Sequence, residues 1–392
     1  MNVKLIAHTP NPLYVCAEAA AVCYDSEPDL RIIKGCIKSG HCYDAETEVL
    51  TDNGFINWKD VNYNTKLANV DPKTREFVGF YNPITLISYP YNGKMIKFEN
   101  KYIDLNITPG HKIYCSLSNT AYKRTHPNFS LMEANRIISC SNSSFDKEVY
   151  KKPLRMTTNA INKRNNNGNP IYKLYGFFIG DGYCESDNSK ICFHLKKERK
   201  INFLQEICKD CELQLEHGEG NRYRIKIDNF RTMFYNDNKE KTFPNNFYQM
   251  SKQDFDFFFE GLINSDGTIG KTSMEYSTSS KELKDKLSAL FSINGLMFTV
   301  GVNPNSEKNK NWKDIYKITI ALKNKDPMFN DSRSKYYAKE VEYSGMVYCA
   351  ETETGLLIVR RNGKIALCGN CSVLEHCTFT FKIEGISRTC SH

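Results

Sequence analysis

The two ends of the chain carry short hydrophobic patterns that predict small α+β pieces. Residues 3–6 (VKLI) predict a strand, and the Ala-rich spacing of residues 13–23 predicts a helix. Residues 29–39 predict a second helix, which Gly40 closes. Near the other end, residues 379–383 (FTFKI) alternate in the manner of a strand. The segment between these ends is rich in Asn, Lys, Tyr and Phe. This change of amino-acid composition predicts that the segment and the two ends do not belong to one protein.

The central segment contains an approximate internal repeat. LYGFFIGDG at residues 174–182 recurs as FEGLINSDG at residues 259–267. In each copy a polar, strand-like stretch follows, and then come a Lys-rich helix (196–213 and 280–290) and a short alternating strand (223–227 and 316–320). The order helix, strands, helix, strand is used twice and predicts two similar half-domains.

Composition limits the class of protein. The chain has 392 residues, a formal net charge of +8, 40% hydrophobic and 25% charged residues, which favours two or three folded domains over a disordered chain. No apolar run reaches the roughly 18 residues of a membrane helix, and the N-terminus has no secretory h-region. We therefore expect a cytoplasmic protein with no membrane contact, whose 15 cysteines are free thiols, metal ligands or nucleophiles. The charge permits a nucleic-acid partner without requiring one.

Each repeated helix has small residues on one face and an acid at its end. The small residues are spaced four apart, so two helix backbones can approach closely. Asp181 and Asp266 each come just before a glycine that can stop the helix, and packing the helices together would bring both carboxylates to one point. An Asp-Gly at a helix end is most often only a cap, but two matching copies favour a Mg²⁺ site for phosphodiester hydrolysis. The small residues are Gly176, Gly180, Gly261 and Ser265.

These paired motifs resemble the LAGLIDADG homing endonucleases in their single-chain, two-motif form. The resemblance covers roughly residues 171–325. It implies two αββαββα-like halves whose β-ribbons form a saddle over double-stranded DNA, with Asp181 and Asp266 as the catalytic, metal-binding acids. Lys226 and Lys317 occupy similar places in the two halves and are candidates for the basic residue that such sites often use, although no secure alignment supports them.

The borders of the central segment carry a second set of ordered motifs. Cys42 opens it, Thr108-Pro109-Gly110-His111 follows, and Gly369-Asn370-Cys371 closes it. Any of these alone is an ordinary loop or a buried thiol. In this order they resemble the splicing blocks of an intein, which implies an all-β horseshoe, the Hint fold, with the endonuclease inserted as a separate domain.

Protein splicing needs these residue types for chemical reasons. Cys42 can attack the carbonyl of His41 and convert a poorly reactive amide into a thioester. The resemblance assigns His111, held with Thr108 near the Cys42 nitrogen, as proton donor. Cys371 then attacks the thioester, and Asn370 releases the branch by cyclising through its side-chain amide. Splicing itself needs no cofactor.

Two departures from the intein pattern concern the cyclisation step. Such inteins usually have His before the terminal Asn, where this chain has Gly369, and residues 343–370 contain no His. Cys349 also stands where the family often has Asp. Gly369→His is therefore expected either to speed C-terminal cleavage or to clash in a pocket shaped for glycine.

Joining the flanks across the central segment restores a further motif. SGH at residues 39–41 followed by CSVLEHCTFTF at residues 371–381 is similar to flavin-dependent thymidylate synthase. The resemblance implies that His41 and Ser372 contact FAD, and that the complete host is a homotetramer that converts dUMP to dTMP with methylenetetrahydrofolate and NADPH. The flanks alone are too short for that fold, so we expect a truncated synthase.

The whole chain is thus predicted to be an α+β multidomain protein. The expected order is host fragment 1–41, Hint part 42–150, LAGLIDADG endonuclease 165–330, Hint part 338–370 and host fragment 371–392. The resemblance implies that the endonuclease requires Mg²⁺ and acts on DNA resembling the uninterrupted host gene. Two alternatives remain, a free-standing LAGLIDADG endonuclease and a Hint autoprocessing protein that cleaves without ligation. The single pair Cys208 and Cys211 is not expected to bind zinc.

Overall fold

A computed structural model describes most of the central segment and little of the flanks. The described residues are 2–4, 41–117, 128–137, 154–185, 189–309, 312–323, 326–329, 338–370 and 382–384. The predicted helices at 13–23 and 29–39 lie outside them, and so do Cys371 and Ser372.

Strands dominate the described residues at the two ends of the central segment, and the described α-helices lie in its middle, apart from a short helical stretch at residues 134–137. The helices are α1 (Ile171–Asp181), α2 (Glu198–Asp210), α3 (Phe230–Phe234), α4 (Lys252–Asp266), α5 (Lys281–Ile293) and α6 (Asn305–Lys308). The strands are β1 (Asn2–Lys4), β2 (Tyr43–Asp44), β3 (Glu48–Thr51), β4 (Gly54–Asn57), β5 (Leu67–Val70), β6 (Phe77–Tyr81), β7 (Thr85–Glu99), β8 (Asp104–Ile107), β9 (Lys112–Leu117), β10 (Ser130–Glu133), β11 (Leu154–Met156), β12 (Gly182–Cys184), β13 (Lys190–His194), β14 (Leu215–His217), β15 (Arg222–Lys226), β16 (Thr268–Ile269), β17 (Ser273–Thr278), β18 (Phe298–Asn303), β19 (Ile315–Ala321), β20 (Met328–Phe329), β21 (Lys339–Glu351), β22 (Leu356–Arg361), β23 (Lys364–Gly369) and β24 (Lys382–Glu384).

The strands on either side of the repeat form one β part. Ten of them make a sheet in which β20, β11, β9, β23, β22, β3, β5 and β6 are neighbours in that order, with β10 beside β9 and β4 beside β3. Strands β2, β21, β7 and β8 close into a small barrel, in which β21 and β7 pair along their length. All six residues of β22 are buried, which is typical of a strand covered on both faces. We call this the β part.

The central repeat forms two halves with the same topology. The order α1-β12-β13-α2-β14-β15 recurs as α4-β16-β17-α5-β18-β19, and both sheets have the matching strand order 1-2-4-3. The predicted order of helix, strands, helix and strand is found in both halves, with one strand more than predicted, β14 or β18, after the second helix. We call residues 171–323 the repeat part.

Glycines allow α1 and α4 to cross at very short range. A Cβ on Gly176 would lie 2.0 Å from the Phe258 carbonyl oxygen, and one on Gly261 would lie 2.0 Å from the Lys173 carbonyl oxygen. A Cβ on Gly180 would meet the Ser265 hydroxyl at 2.1 Å. The small-residue face predicted from the sequence is therefore the helix contact.

The two parts share a continuous apolar core. Its larger cluster contains β-part residues such as Val70, Phe77 and Ile358 together with repeat-part residues such as Phe255 and Leu287. The chain enters and leaves the repeat through β11 and β20, which pair with each other, and β20 lies inside the range 165–330 predicted for the endonuclease. The flanks meet through β1 and β24, where Val3 pairs with Ile383. No described helix has the length and apolar character needed to cross a membrane.

Candidate functional site

Cys42 lies in a fully buried pocket at the start of the β part. Its backbone N–H donates to Thr108 Oγ1 at 2.8 Å, and the Thr108 N–H donates to the Cys42 carbonyl at 3.0 Å. The turn after β8 therefore holds the peptide group of Cys42 from both sides. The structure brings Cys42 and Thr108 together, as the sequence predicted.

His111 is buried at the meeting point of the segment's two ends. Its Nε2 lies 3.3 Å from the Cys368 Sγ, and its ring is 4.3 Å from that of Tyr43, centroid to centroid. Burial, with a smaller contribution from His41, lowers the pKa of His111 to about 3, while hydrogen bonding to the backbone of His41 and Gly369 acts in the opposite direction. The ring is therefore neutral at physiological pH, with one nitrogen able to donate and the other able to accept a proton.

Asn370 is buried directly beside this pocket. Its backbone N–H donates to the Gly355 carbonyl at 3.0 Å. Its Nδ2 donates to the Thr352 carbonyl at 3.0 Å and to Thr352 Oγ1 at 3.1 Å. Tyr43 donates its hydroxyl to the Gly369 carbonyl at 2.6 Å, which links the residue after Cys42 to the residue before Asn370. Both ends of the central segment thus lie in one site.

Three residues of this site were missed from the sequence. They are Tyr43, Thr352 and Cys368, and only their closeness to the border motifs could have drawn attention to them. Burial raises the pKa of the Cys368 thiol to about 12, so the thiol stays protonated beside His111. Cys349, noted as a departure from the intein pattern, is also buried, and its Sγ lies 3.7 Å from the Ala350 carbonyl.

Gly369 fills a space that has no room for a side chain. A Cβ there would lie 2.5 Å from the Lys112 carbonyl oxygen and 3.2 Å from the Leu131 Cδ2. Since the nearest atom belongs to the backbone, it cannot move aside cheaply. Of the two outcomes expected for Gly369→His, the geometry supports the clash.

A second site lies where α1 and α4 end. Lys200 Nζ contacts both oxygens of Asp181 at 2.7 and 2.6 Å and one oxygen of Asp266 at 3.6 Å. Burial raises the pKa of Asp181, and the nearby Asp266 adds to this rise while Lys200 opposes it. The two acids predicted to converge are therefore brought to a common cation.

A buried lysine completes this site. Lys241 donates to the carbonyls of Phe178, Ile179 and Gly182, at the C-terminal end of α1. Burial lowers its pKa to about 8, although Asp266 and Asp181 act in the opposite direction. Lys241 follows the first half, outside both copies of the repeat, so periodicity did not reveal it.

The two lysines suggested by the repeat lie elsewhere. Lys317 pairs with Glu275 at 2.7 Å, and Lys226 lies opposite Lys190 in the sheet. The lysines that contact or face the paired acids are Lys200 and Lys241. The repeat therefore predicted that the two acids converge, whereas the lysine that contacts both of them is Lys200.

The donor set of this site suits a hard divalent ion. Two carboxylates converge, one partly buried and one exposed, and a lysine ammonium already lies between them in the position of a cation. Mg²⁺ is typically held by one or two carboxylates with water and substrate oxygens as the other ligands. Asp181 and Asp266 fit this pattern, and the Lys200 ammonium stands in the place that such an ion would take.

The predicted flavin contacts stay a prediction. His41 is buried next to Cys42, and Ser372 lies outside the described residues.

Two known proteins are similar to this chain over most of its length. The ribonucleoside-diphosphate reductase subunit beta of Aquifex aeolicus (strain VF5) is 25% identical over 362 residues, which cover 85% of this chain and 50% of that protein. The chain thus spans half the length of this relative. The AceL NrdHF class 3 split intein, as a GSH-linked splice-inactive variant, matches with a TM-score of 0.31 at 7% identity, over 85% of this chain and 100% of that one.

The repeat part has its own matches. The homing endonuclease I-DmoI in complex with DNA and Mn has a TM-score of 0.27 at 16% identity, over 39% of this chain and 89% of that chain. Residues 257–328, mostly in the second half of the repeat part, match the family described as LAGLIDADG-like domain.

Proposed function

We propose that residues 42–370 form an intein that excises itself and carries a LAGLIDADG homing endonuclease. The observation behind the splicing proposal is the 2.6 Å hydrogen bond from Tyr43 to the Gly369 carbonyl, which holds the two ends of the segment side by side. An autoprocessing protein that only cleaves, or a free-standing endonuclease, would not need both ends at one site.

The first steps of splicing use the residues around Cys42. Its Sγ attacks the carbonyl carbon of His41, the amide bond to the Cys42 nitrogen breaks, and that nitrogen takes a proton. Thr108 holds the leaving nitrogen through its hydroxyl, and the ring of His111 lies close to the His41 backbone. The neutral ring is able to exchange a proton there as the thioester forms.

The later steps join the flanks. The Sγ of Cys371 attacks the thioester carbon, and the Cys42 thiol leaves. The Nδ2 of Asn370 then attacks its own carbonyl carbon, the bond to the Cys371 nitrogen breaks, and a proton moves from Nδ2 to that nitrogen. A final shift of the acyl group from sulfur to nitrogen joins His41 to Cys371 through a normal peptide bond.

The test is mass spectrometry of the purified precursor with its C-terminal flank extended. Cys42→Ala is expected to abolish thioester formation and ligation, and Asn370→Ala is expected to block release of Cys371 and to let the branched species accumulate. Cys211→Ala removes a thiol from the repeat part and serves as the matched control, which splices normally. A ligated product from Cys42→Ala would overturn the assignment.

We further propose that the repeat part cleaves double-stranded DNA that resembles the uninterrupted host gene. Asp181 and Asp266 would hold Mg²⁺, and two such ions would stabilise the attacking and leaving oxygens of the phosphodiester. Lys241 is buried beside these acids with a pKa near 8, so it is able to exchange a proton near neutral pH. The β-sheets β12–β15 and β16–β19 would form the surface that contacts DNA.

The endonuclease proposal is tested on a plasmid that carries the uninterrupted junction. Asp181→Asn and Asp266→Asn are expected to abolish double-strand cleavage or reduce it to nicking, while splicing continues. Asp256→Asn, at an exposed acid paired with Lys252, is the control and keeps full activity. Equal cleavage by all three variants would refute the metal role.

The host remains a proposal drawn from the restored junction motif. We infer a flavin-dependent thymidylate synthase with FAD contacts at His41 and Ser372, which uses NADPH, dUMP and methylenetetrahydrofolate as a tetramer. The pairing of β1 with β24 supports a common origin for the two flanks. Splicing of a chain extended beyond His392, followed by the flavin absorbance of the ligated product, tests this inference, and a colourless folded product would contradict it.

A further inference from the structure

The side-chain amide of Asn370 is held in one orientation. Its Nδ2 donates to the Thr352 carbonyl at 3.0 Å and to the Thr352 hydroxyl at 3.1 Å. A backbone carbonyl only accepts hydrogen bonds, so the nitrogen end of the amide must face Thr352. The Oδ1 end faces Gly355, 3.9 Å from the position that a Cβ would occupy there.

The backbone around Asn370 is fixed as well. The Asn370 N–H donates to the Gly355 carbonyl, and the Gly369 carbonyl accepts from Tyr43. Thr352 and Gly355 belong to the turn between β21 and β22, where Gly355 has φ +86°. This turn closes over Asn370, and both Thr352 and Asn370 are buried.

We propose that Thr352 is a positioning residue for the cyclisation of Asn370, a role that rests on the proposed splicing function. In that step Nδ2 forms a bond to the Asn370 carbonyl carbon and loses one proton. The bond from that carbon to the Cys371 nitrogen breaks, and this nitrogen gains the proton. Thr352 acts on the first event, since it selects which end of the amide approaches the carbon.

The chemistry explains why a fixed orientation matters here. An amide nitrogen is a weak nucleophile, and a reactant held near the attack geometry gains much of its rate from position. Residues 343–370 contain no histidine, and Gly369 has no side chain to assist. Two acceptors on the N–H groups of Nδ2 polarise the amide and keep the nitrogen, not the oxygen, available to the site.

Variants at Thr352 distinguish two roles of its hydroxyl: positioning the Asn370 amide for cyclisation, or only giving a buried amide a hydrogen-bond partner. Thr352→Val removes the hydroxyl at nearly constant volume and keeps the carbonyl, and Thr352→Ser restores the hydroxyl. Thr354→Val is the matched control, because the Thr354 hydroxyl donates to Asn69 at 3.0 Å in the same turn. The readouts are the rate of Asn370–Cys371 cleavage, the rate of thiol-induced cleavage at Cys42, and the melting temperature.

Thr352→Val is expected to slow Asn370–Cys371 cleavage by about five- to tenfold, the loss that one net hydrogen bond gives. Thr352→Ser and Thr354→Val are expected to stay within about twofold of the parent chain, and thiol-induced cleavage at Cys42 is expected to stay unchanged in all three. If Thr352→Val does not fold, Thr352→Ala is used in its place, because it removes the same hydroxyl without adding bulk.

Three results would overturn the role of Thr352. They are parent-like cleavage by a folded Thr352→Val, a Thr352→Ser variant as slow as Thr352→Val, and an equal fall of both cleavage rates together with the melting temperature. Asn370→Ala in the same series tests the splicing proposal separately. If Asn370→Ala still releases a fragment that begins at Cys371, the cyclisation route itself is wrong, whatever Thr352 does.

Discussion

At the scale of single residues, burial of His111 couples the pH to the stability of the fold. The ring has a pKa of about 3 in the folded protein, against an ordinary value of 6.5. Between these values the unfolded chain binds a proton that the folded chain does not, so folding stability falls as the pH falls from 6.5 towards 3. Above pH 6.5 this group contributes no pH dependence.

This coupling gives a measurable difference between two variants. In a Cys42→Ala, Asn370→Ala background that keeps the chain intact, we expect the free energy of unfolding to fall between pH 8 and pH 5. That fall is about 2 kcal/mol larger with His111 than with His111→Gln. Urea denaturation at both pH values measures the difference. An identical pH dependence for the two chains would show that the ring is not held neutral.

Gly369 gives a second prediction at this scale. Gly369→Ala adds a single carbon that would lie 2.5 Å from the Lys112 carbonyl oxygen, so β9 and β23 must separate locally. We expect slower Asn370–Cys371 cleavage in Gly369→Ala, and slower still in Gly369→His. Gly301→Ala, whose Cβ would be 4.0 Å from its nearest neighbour, is the control. Faster cleavage in Gly369→His would mean instead that the cyclisation step of the parent chain is slow because it lacks the histidine that inteins usually have before the terminal Asn.

At the scale of elements, the contact of α1 with α4 fixes the distance between the two acids. Gly261→Ala would place a carbon 2.0 Å from the Lys173 carbonyl oxygen and 2.8 Å from the Phe177 nitrogen. Both atoms belong to the backbone, so the helices must move apart, at a cost of about 3 kcal/mol. We expect a lower melting temperature and loss of DNA cleavage, both absent from the Gly93→Ala control, whose Cβ would lie 3.4 Å from the Tyr91 hydroxyl in the β part. Full cleavage by Gly261→Ala would mean that the helix ends position the acids independently of this contact.

The sequence predicts the elements whose pattern lies within one short stretch of the chain, and it does not predict contacts between distant stretches. The duplicated GxxxxDG pattern located both helix ends, the close helix contact and the two acids, because helical spacing alone brings those residues to one face. Periodicity also predicted the α2 and α5 helices and the β15 and β19 strands. Tyr43 and Gly369 are 326 positions apart, and the contact depends on pairings that no local pattern encodes. The positions of Lys200 and Lys241 at the paired acids were not predicted, because they come from the packing of several elements at the ends of α1 and α4.

At the scale of the whole molecule, one arginine joins the two parts. Arg360 on β22 binds Glu48 of β3 through its Nε and Nη2 atoms at 2.6 and 2.8 Å, and it also binds Asp285 on α5. Burial acts to lower the pKa of Arg360, but Glu48 and Asp285 outweigh it and raise the pKa overall. The positive charge of Arg360 is thus compensated by one acid from the β part and one from the repeat part. This arrangement predicts that the β part and the repeat part unfold together.

Two probes can follow the parts separately. Trp58 is buried in the β part, and the other tryptophan, Trp312, is removed by Trp312→Phe in all chains compared. The helices α1 to α6 lie between residues 171 and 308, so among the described residues the far-ultraviolet helix signal comes mainly from the repeat part. In the parent chain the two signals are expected to change at the same temperature, as they do for one cooperative unit.

Arg360→Leu is expected to lower the free energy of unfolding by about 2 kcal/mol, because it removes a buried guanidinium that pairs with two half-buried carboxylates, Glu48 and Asp285. Both probes are expected to move to the lower temperature together, since the apolar cluster continues across the two parts. Lys94→Ala, which breaks an exposed pair with Glu340, is the control and costs at most about 1 kcal/mol. If Arg360→Leu shifts only the Trp58 transition, the two parts are stable independently and Arg360 serves the β part alone. A shift of both probes would mean that the repeat part stabilises the fold in which Cys42 and Asn370 meet.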